Sequence, residues 1–213
     1  MTIKEKDFIE IDFVGRLKIN DQIFDLTKAD VAKKQGVFRE GVVYEPIIVC
    51  VGSGQIIPGL DAELKGRKIG DKFKVEIPPE KGFGKRSQKL IQLTSEANFK
   101  SKGVRPVPGM QFDVDGRIAT IKSVNSGRVI LDFNHPLAGK ELIYEVEIKR
   151  KIEKPEDRFN ALKKILNLDF DFKIKDKNVE LSFKNSDKLD KSVKEVLQTR
   201  IQEFFPDLKI KVL

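Results

Sequence analysis

Residues 52–86 read GSGQIIPGLDAELKGRKIGDKFKVEIPPEKGFGKR, and the order of its pieces decides the fold. Gln55 to Leu60 is a tight apolar turn with Pro58 and Gly59 at its exit. A short amphipathic helix follows, in which Leu60 and Leu64 sit one turn apart. Asp61, Glu63 and Lys65 are expected to face away from them. Gly66 stops the helix. Lys72 to Pro78 then alternates polar and apolar through Phe73, Val75 and Ile77, as a strand with one buried face does. Pro78-Pro79 breaks that strand, and Gly82-Phe83-Gly84 presents an aromatic ring on a loop. An apolar helix start facing an aromatic loop makes a small greasy cup or, equally, an ordinary core corner.

Outside this stretch the composition is that of a folded chain. Of 213 residues, 39% are apolar and 35% charged, and the length suits two or three modules. No apolar run is long enough for a membrane span, and the first residues lack a signal-peptide core. Cys50 is the only cysteine, so no intramolecular disulfide forms; a small buried hydrophobe in a reducing cytoplasm is expected. The net charge of +8 comes from lysines mixed with acids. Such a surface suits acidic partners such as RNA or ribosomes, or is simply solvated.

Phe8 to Leu17 alternates as a strand, and Asp21 turns it back toward Gln22-Ile23-Phe24. Asp25 follows immediately, where the second strand should be entering the core, and on structure alone is a turn or cap residue. Ala29 to Gln35 has helical character, and Pro46 to Val51 is an apolar run expected to be a buried strand. After Gly84, residues 85–134 hold a β-rich unit. Lys89–Leu93, Met110–Val114, Arg117–Val124 and Arg128–Phe133 are strand-like, Ser95–Lys100 is a helical turn, and Asp115-Gly116 and Asn125-Ser126-Gly127 make hairpin turns. Phe133 to Lys140 closes the insert, and Glu141 to Lys149 alternates as a final strand. The charged run 149–158 leads into a helix at Pro155–Leu166. Strands are expected at Asp169–Ile174 and Val179–Phe183 around a Lys177-Asn178 turn. A helix at Asp187–Phe204 carries Leu189, Val193, Val196, Leu197, Ile201 and Phe204 on one stripe, and Lys209–Leu213 forms a last strand.

The Gly-rich turn, the Ile-Pro-Gly-Leu helix start and the strand ending in Gly-Phe-Gly resemble the FKBP-type peptidyl-prolyl isomerases. The long insert and its NHPLAGK closure resemble the SlyD-like branch, above all the long archaeal FKBPs, over residues 1–150. The resemblance implies an α+β fold: an FKBP-like antiparallel half-barrel wrapped on a short helix, an inserted small β-rich domain and a C-terminal αββαβ module. The implied domains are 1–84 with 135–150 (isomerase), 85–134 (insert-in-flap, chaperone) and 151–213.

It also implies that Phe13, Phe24, Ile47, Ile56, Ile57, Leu60, Phe83 and Tyr144 line a proline cup. Asp25 is its buried polar edge, and the Ile57 N–H donates to the bound peptide. Phe13 and Phe83 stand where many members have Tyr, so Tyr144 is the remaining phenol of the cup. Leu93, Phe99, Val107, Met110 and Phe112 of the insert, with His135, Leu137 and Ala138 at the cleft, are expected to hold substrate. Alternatively the insert residues only form a small core, and His135 is a turn residue bonded to backbone. No cofactor and no metal are expected. The expected partners are unfolded or proline-containing polypeptides, a second copy through the C-terminal module, and ribosome or RNA through Lys149, Arg150, Lys151, Lys154 and Arg158.

Overall fold

The computed structural model describes residues 2–183 and 190–213. It is a mixed fold of antiparallel sheets and few helices, divided into two compact units. One comprises the chain up to Pro78 and from Glu141 onward; the other is Pro79–Lys140.

The first unit is built on β1 (Phe8–Leu17), which pairs along its whole length with β9 (Leu142–Ile152). Its other edge is shared between β3 (Ile47–Cys50) and β2 (Ile23–Leu26). β4 (Lys72–Ile77) pairs with the far edge of β9. The helices here are α1 (Ala29–Lys34) and α2 (Pro58–Leu64), and α2 buries Leu60 and Leu64 as their spacing requires. Asp61 corrects the expectation that it faces away: it is buried, and its carboxylate accepts hydrogen bonds from the Gly52 and Gly54 N–H groups at 2.8 and 3.3 Å.

β1 is covered on both faces. Opposed residues of antiparallel strands share a face, so Phe8 and Cys50 lie on one side, and Ile9, Ile11, Ile47 and Val49 alternate with it. Phe8, Cys50 and Ile152 join one core with Phe159, Leu162, Phe170, Leu181, Phe204 and Phe205. Those partners come from α4 (Pro155–Leu166), β10 (Phe170–Lys175), β11 (Asn178–Phe183), α5 (Lys191–Gln202) and β12 (Lys209–Val212). β11 lies between antiparallel β10 and parallel β12, and α5 makes the crossover a parallel pair requires. Residues 151–213 therefore fall in one compact unit with the amino-terminal strands, and β9 itself runs on to Ile152.

Two local expectations change. The β10–β11 turn is Asp176-Lys177, with Asp176 at φ +53°, because β11 already begins at Asn178. Leu189 and the expected helix start lie outside the described residues. Val193 and Val196 are 42% and 66% exposed, so the stripe of α5 that reaches the core shortens to Leu197 and Ile201, with Phe204 following just past the helix end. The cause is how α5 seats. Gln198 and Gln202 accept hydrogen bonds from the Val212 and Ile210 N–H groups, which tethers the carboxy-terminal half to β12 and shields a sheet edge.

The second unit holds β5 (Ile91–Ser95), α3 (Ala97–Lys100), β6 (Gln111–Val114), β7 (Arg117–Asn125) and β8 (Arg128–Asp132). The antiparallel order is β5-β8-β7-β6. Asp115-Gly116 and Ser126-Gly127 all have positive φ, the hairpin geometry those residue types favour. The first strand starts later than Lys89, since Gln88–Leu90 is a 3-10 turn. Ala119, Ile121, Val129 and Leu131 form the centre, with Phe99, Met110, Phe112 and Phe133 packed against it.

Candidate active site

The site begins with a register jump. Gly15 pairs with Asp25 and Arg16 with Ile23, so Phe24 is an extra residue in β2. In a regular strand Phe24 and Asp25 point to opposite faces; a bulge re-aims a side chain. Here both act on Tyr144. The Phe24 ring meets Tyr144 edge-on at 5.7 Å, and Phe13 lies against the same ring at 5.6 Å. Burial, and next the negative charge of Asp25, push the Tyr144 hydroxyl above its ordinary pKa. Gly15 is required beneath them, since a Cβ there stands 2.9 Å from Phe24 Cζ and 3.2 Å from Tyr144 Cε1.

Asp25 is not the buried edge expected of it. Its side chain is exposed at the rim, yet enough protein surrounds the carboxyl for desolvation to raise its pKa, with the Leu26 N–H pulling the other way. Two residues on, Thr27 fixes this strand. Its hydroxyl donates to Asp12 Oδ1 at 2.7 Å and accepts the Phe13 N–H at 2.8 Å, so the backbone of Phe13 is pinned where β2 ends.

The 52–60 turn is held from inside. Gln55 Oε1 accepts the Cys50 N–H at 2.8 Å, the Ser53 hydroxyl donates to the Cys50 carbonyl, and Asp61 gathers Gly52 and Gly54. The Ile57 carbonyl accepts the N–H groups of Leu60 and Asp61, starting α2 with Pro58 in its first turn. Ile47, Ile56 and Ile57 are partly buried and Leu60 fully so. Asp61, Gln55 and Thr27 escape sequence reasoning because their partners are backbone groups of other segments.

The remaining expected residues lie in the second unit. Phe83 stacks flat on His135, with centroids 4.4 Å apart and planes 3° apart. His135 Nδ1 accepts the Leu137 N–H and its carbonyl accepts the Ala138 N–H, so it is built into a turn. The five insert residues divide. Leu93 and Val107 are 63% and 51% exposed, whereas Phe99, Met110 and Phe112 pack on the core and line a cleft of about 330 Å³.

At the base of this unit Asp132 is buried beneath Arg86 and Lys122. It accepts hydrogen bonds from the Asn134 N–H, the Asn134 side chain and Arg86. Asn134 also bonds both backbone groups of Ser87. Burial alone would raise the Asp132 pKa; the Asn134 bonds, with Arg86 and Lys122, reverse that and lower it.

The charged run 149–158 is not an open basic patch. Lys149 meets Glu147 and Asp12, Arg150 meets Glu10, and Lys151 meets Asp7, while Arg158 lies half-buried over the rings of Phe8 and Phe205. Among the described residues no group of three His, Cys, Asp or Glu side chains is placed to hold a metal ion, and no helix is long and apolar enough to cross a membrane.

A bulged strand, a three-ring wall and a Gly-rich turn entering a short helix define a class that comparison with known proteins specifies. The family model described as FKBP26, IF domain, matches residues 92–137. A short-type peptidyl-prolyl cis-trans isomerase of Methanocaldococcus jannaschii is 35% identical over 147 residues, 69% of this chain and 92% of that protein. FKBP-type isomerases named SlyD match at 37% in Treponema pallidum, over 52% of this chain and 65% of theirs. In Haemophilus influenzae the match is 30%, over 62% and 72%. The chain belongs to the FKBP-type peptidyl-prolyl cis-trans isomerases.

Proposed function

We propose that this chain isomerises prolyl peptide bonds in a cup of Phe13, Phe24, Ile47, Ile56, Ile57, Leu60 and Tyr144, with Asp25 at its rim. Its second unit is proposed to hold unfolded polypeptide. Rotation about a peptide bond faces about 18–20 kcal/mol because carbonyl and nitrogen share partial double-bond character. Proline brings the two isomers close in energy without making exchange fast. An apolar wall strips water from the prolyl amide and favours the twisted, less dipolar transition state over the planar ground state. No proton moves and no covalent bond forms.

The observation that carries this reading is the convergence of Phe13, Phe24 and Asp25 on Tyr144. Phe13 in place of a phenol leaves desolvation intact, since that effect needs only an apolar face. For the second unit, the exposure of Leu93, Val107 and Ile118 on so small a core supports client binding. A client held there meets the cup at raised effective concentration because both ride on one chain.

The test is a protease-free isomerisation assay on a proline tetrapeptide and on an unfolded protein. Asp25→Ala is expected to lower kcat/KM on both. Replacing residues 85–134 by a short loop is expected to spare the tetrapeptide and cripple the protein substrate. No acceleration by the intact chain removes the cup reading; equal loss on both substrates after deletion removes the client-binding one. The uncovered Val193 and Val196 of α5 further support a homodimer through the C-terminal module, for which light scattering is expected to give twice 24.3 kDa; a monomer mass ends that idea.

A further inference from the structure

The outer face of the C-terminal sheet is a grid of lysines. The inner face of β10-β11-β12 is spent on the core through Phe170, Val179, Leu181, Ile210 and Val212. The outer side chains fall, by strand register, into three rows: Lys173, Glu180 and Lys211 in one, Lys175, Asn178 and Lys209 in a second, and Asp171 with Ser182 in a third. The four lysines, Asn178, Glu180 and Asp171 are exposed.

Among the described residues none of the four lysines has a carboxylate at ion-pairing distance. Lys149, Arg150 and Lys151 are each answered by an acid. Charge on this molecule is thus cancelled where the sequence concentrates it and left open where the sheet assembles it.

Strand geometry sets the grid. Lysines two residues apart on one strand stand roughly 7 Å apart, and those on β10 and β12 are separated by about 10 Å, two strand spacings. Both lengths lie within or near a Debye length of about 8–10 Å, so the four potentials add; Glu180 and Asp171 offset two of them and leave the face positive. The face carries no aromatic ring, which removes base stacking as a mode of recognition. Apart from Leu213 at one corner it offers no apolar side chain, so it lacks the anchor of a protein interface or a membrane-inserting surface. The β12 edge is closed to an added strand by Gln198 and Gln202.

We propose that this face binds the phosphodiester backbone of a double-stranded nucleic acid, without base specificity. The ladder of charge along such a backbone, one phosphate per roughly 3.4 Å of axis on each strand, presents repeated anions to lysines at these spacings. This site is independent of the isomerase cup.

The test uses the full chain, a short fluorescein-labelled RNA duplex and its DNA counterpart, with phosphatidylserine vesicles and polyglutamate as competing chemistries. Wild type is expected to bind a duplex with an affinity that falls linearly in log–log against salt. Reversing Lys173, Lys175, Lys209 and Lys211 to Glu together is expected to weaken binding about tenfold or more and to reduce the slope by roughly three. Tetrapeptide isomerisation should be unchanged. Glu180→Gln, which removes an acid from an exposed position and leaves the core alone, is expected to tighten binding severalfold and keeps the test decisive if the reversed chain folds poorly. Equal affinity and slope in all three proteins overturns the proposal. So does binding to vesicles or polyglutamate but to neither duplex, or loss of duplex binding on reversing Lys149 and Lys151 instead.

Discussion

Asp25 and Tyr144 carry the electrostatic cost of the proposed cup. Desolvation raises the Asp25 pKa in the folded chain, so the native state holds that proton more tightly than the unfolded one. Its contribution is favourable at pH below the ordinary carboxylate pKa of about 4 and is lost as pH rises through the folded value. Asp25→Asn is therefore expected to be more stable than wild type to urea at pH 7, with the difference closing in acid. A variant less stable at pH 7 contradicts the desolvated carboxylate. Raised stability with lowered turnover is what a charge kept for function produces. The Phe24-Asp25 pair itself is legible in the sequence. That both side chains act on one phenol is not, because a bulge is a property of pairing between strands, and β2 alone shows only four residues with no periodicity to slip.

Among elements, those with a strict period and their own punctuation are the ones a single sequence reveals. β1, α4 and the Asp115-Gly116 hairpin emerge from alternation, a Pro at the helix start and residues that tolerate positive φ. α5 misleads, since Val193 and Val196 satisfy the helical stripe while the sheet beneath reaches only its second half. The closure of the insert is visible as a motif, but its mechanics belong to the assembled strands.

Asp132 and Asn134 tie the segment at Arg86-Ser87 to the end of β8. Asp132→Ala removes a charged acceptor from three donors and is expected to cost about 2 kcal/mol. The loss should show as faster hydrogen exchange at Ile91–Ser95, which pairs with β8. Because the folded pKa of Asp132 is depressed, its contribution is present above the ordinary carboxylate pKa and fades as pH falls through the folded value. Exchange in the variant should therefore approach that of wild type in acid. Unchanged exchange at neutral pH contradicts the role given to this carboxylate.

Over the molecule as a whole, the C-terminal module is less an appendage than the second wall of the core. Phe205 lies between Phe159 at 4.1 Å and Phe8 at 5.4 Å, joining residues some two hundred positions apart in sequence. Phe205→Ala is expected to cost about 3–5 kcal/mol. It should lower the urea midpoint of the β1–β9 amides together with that of β10–β12; separate midpoints would show that the module melts alone. Composition signals a boundary near residue 150 because the run is charged, but β9 continues to Ile152, and Arg150 and Lys151 pair across to Glu10 of β1 and to Asp7 just before it. Cys50 sits inside this seam, with its thiol pKa raised by burial. Because it is the sole sulfhydryl and is buried in the shared core, its rate of reaction with a colorimetric thiol reagent is expected to report how often that core opens. The protein thus carries, without engineering, a clock for its own opening.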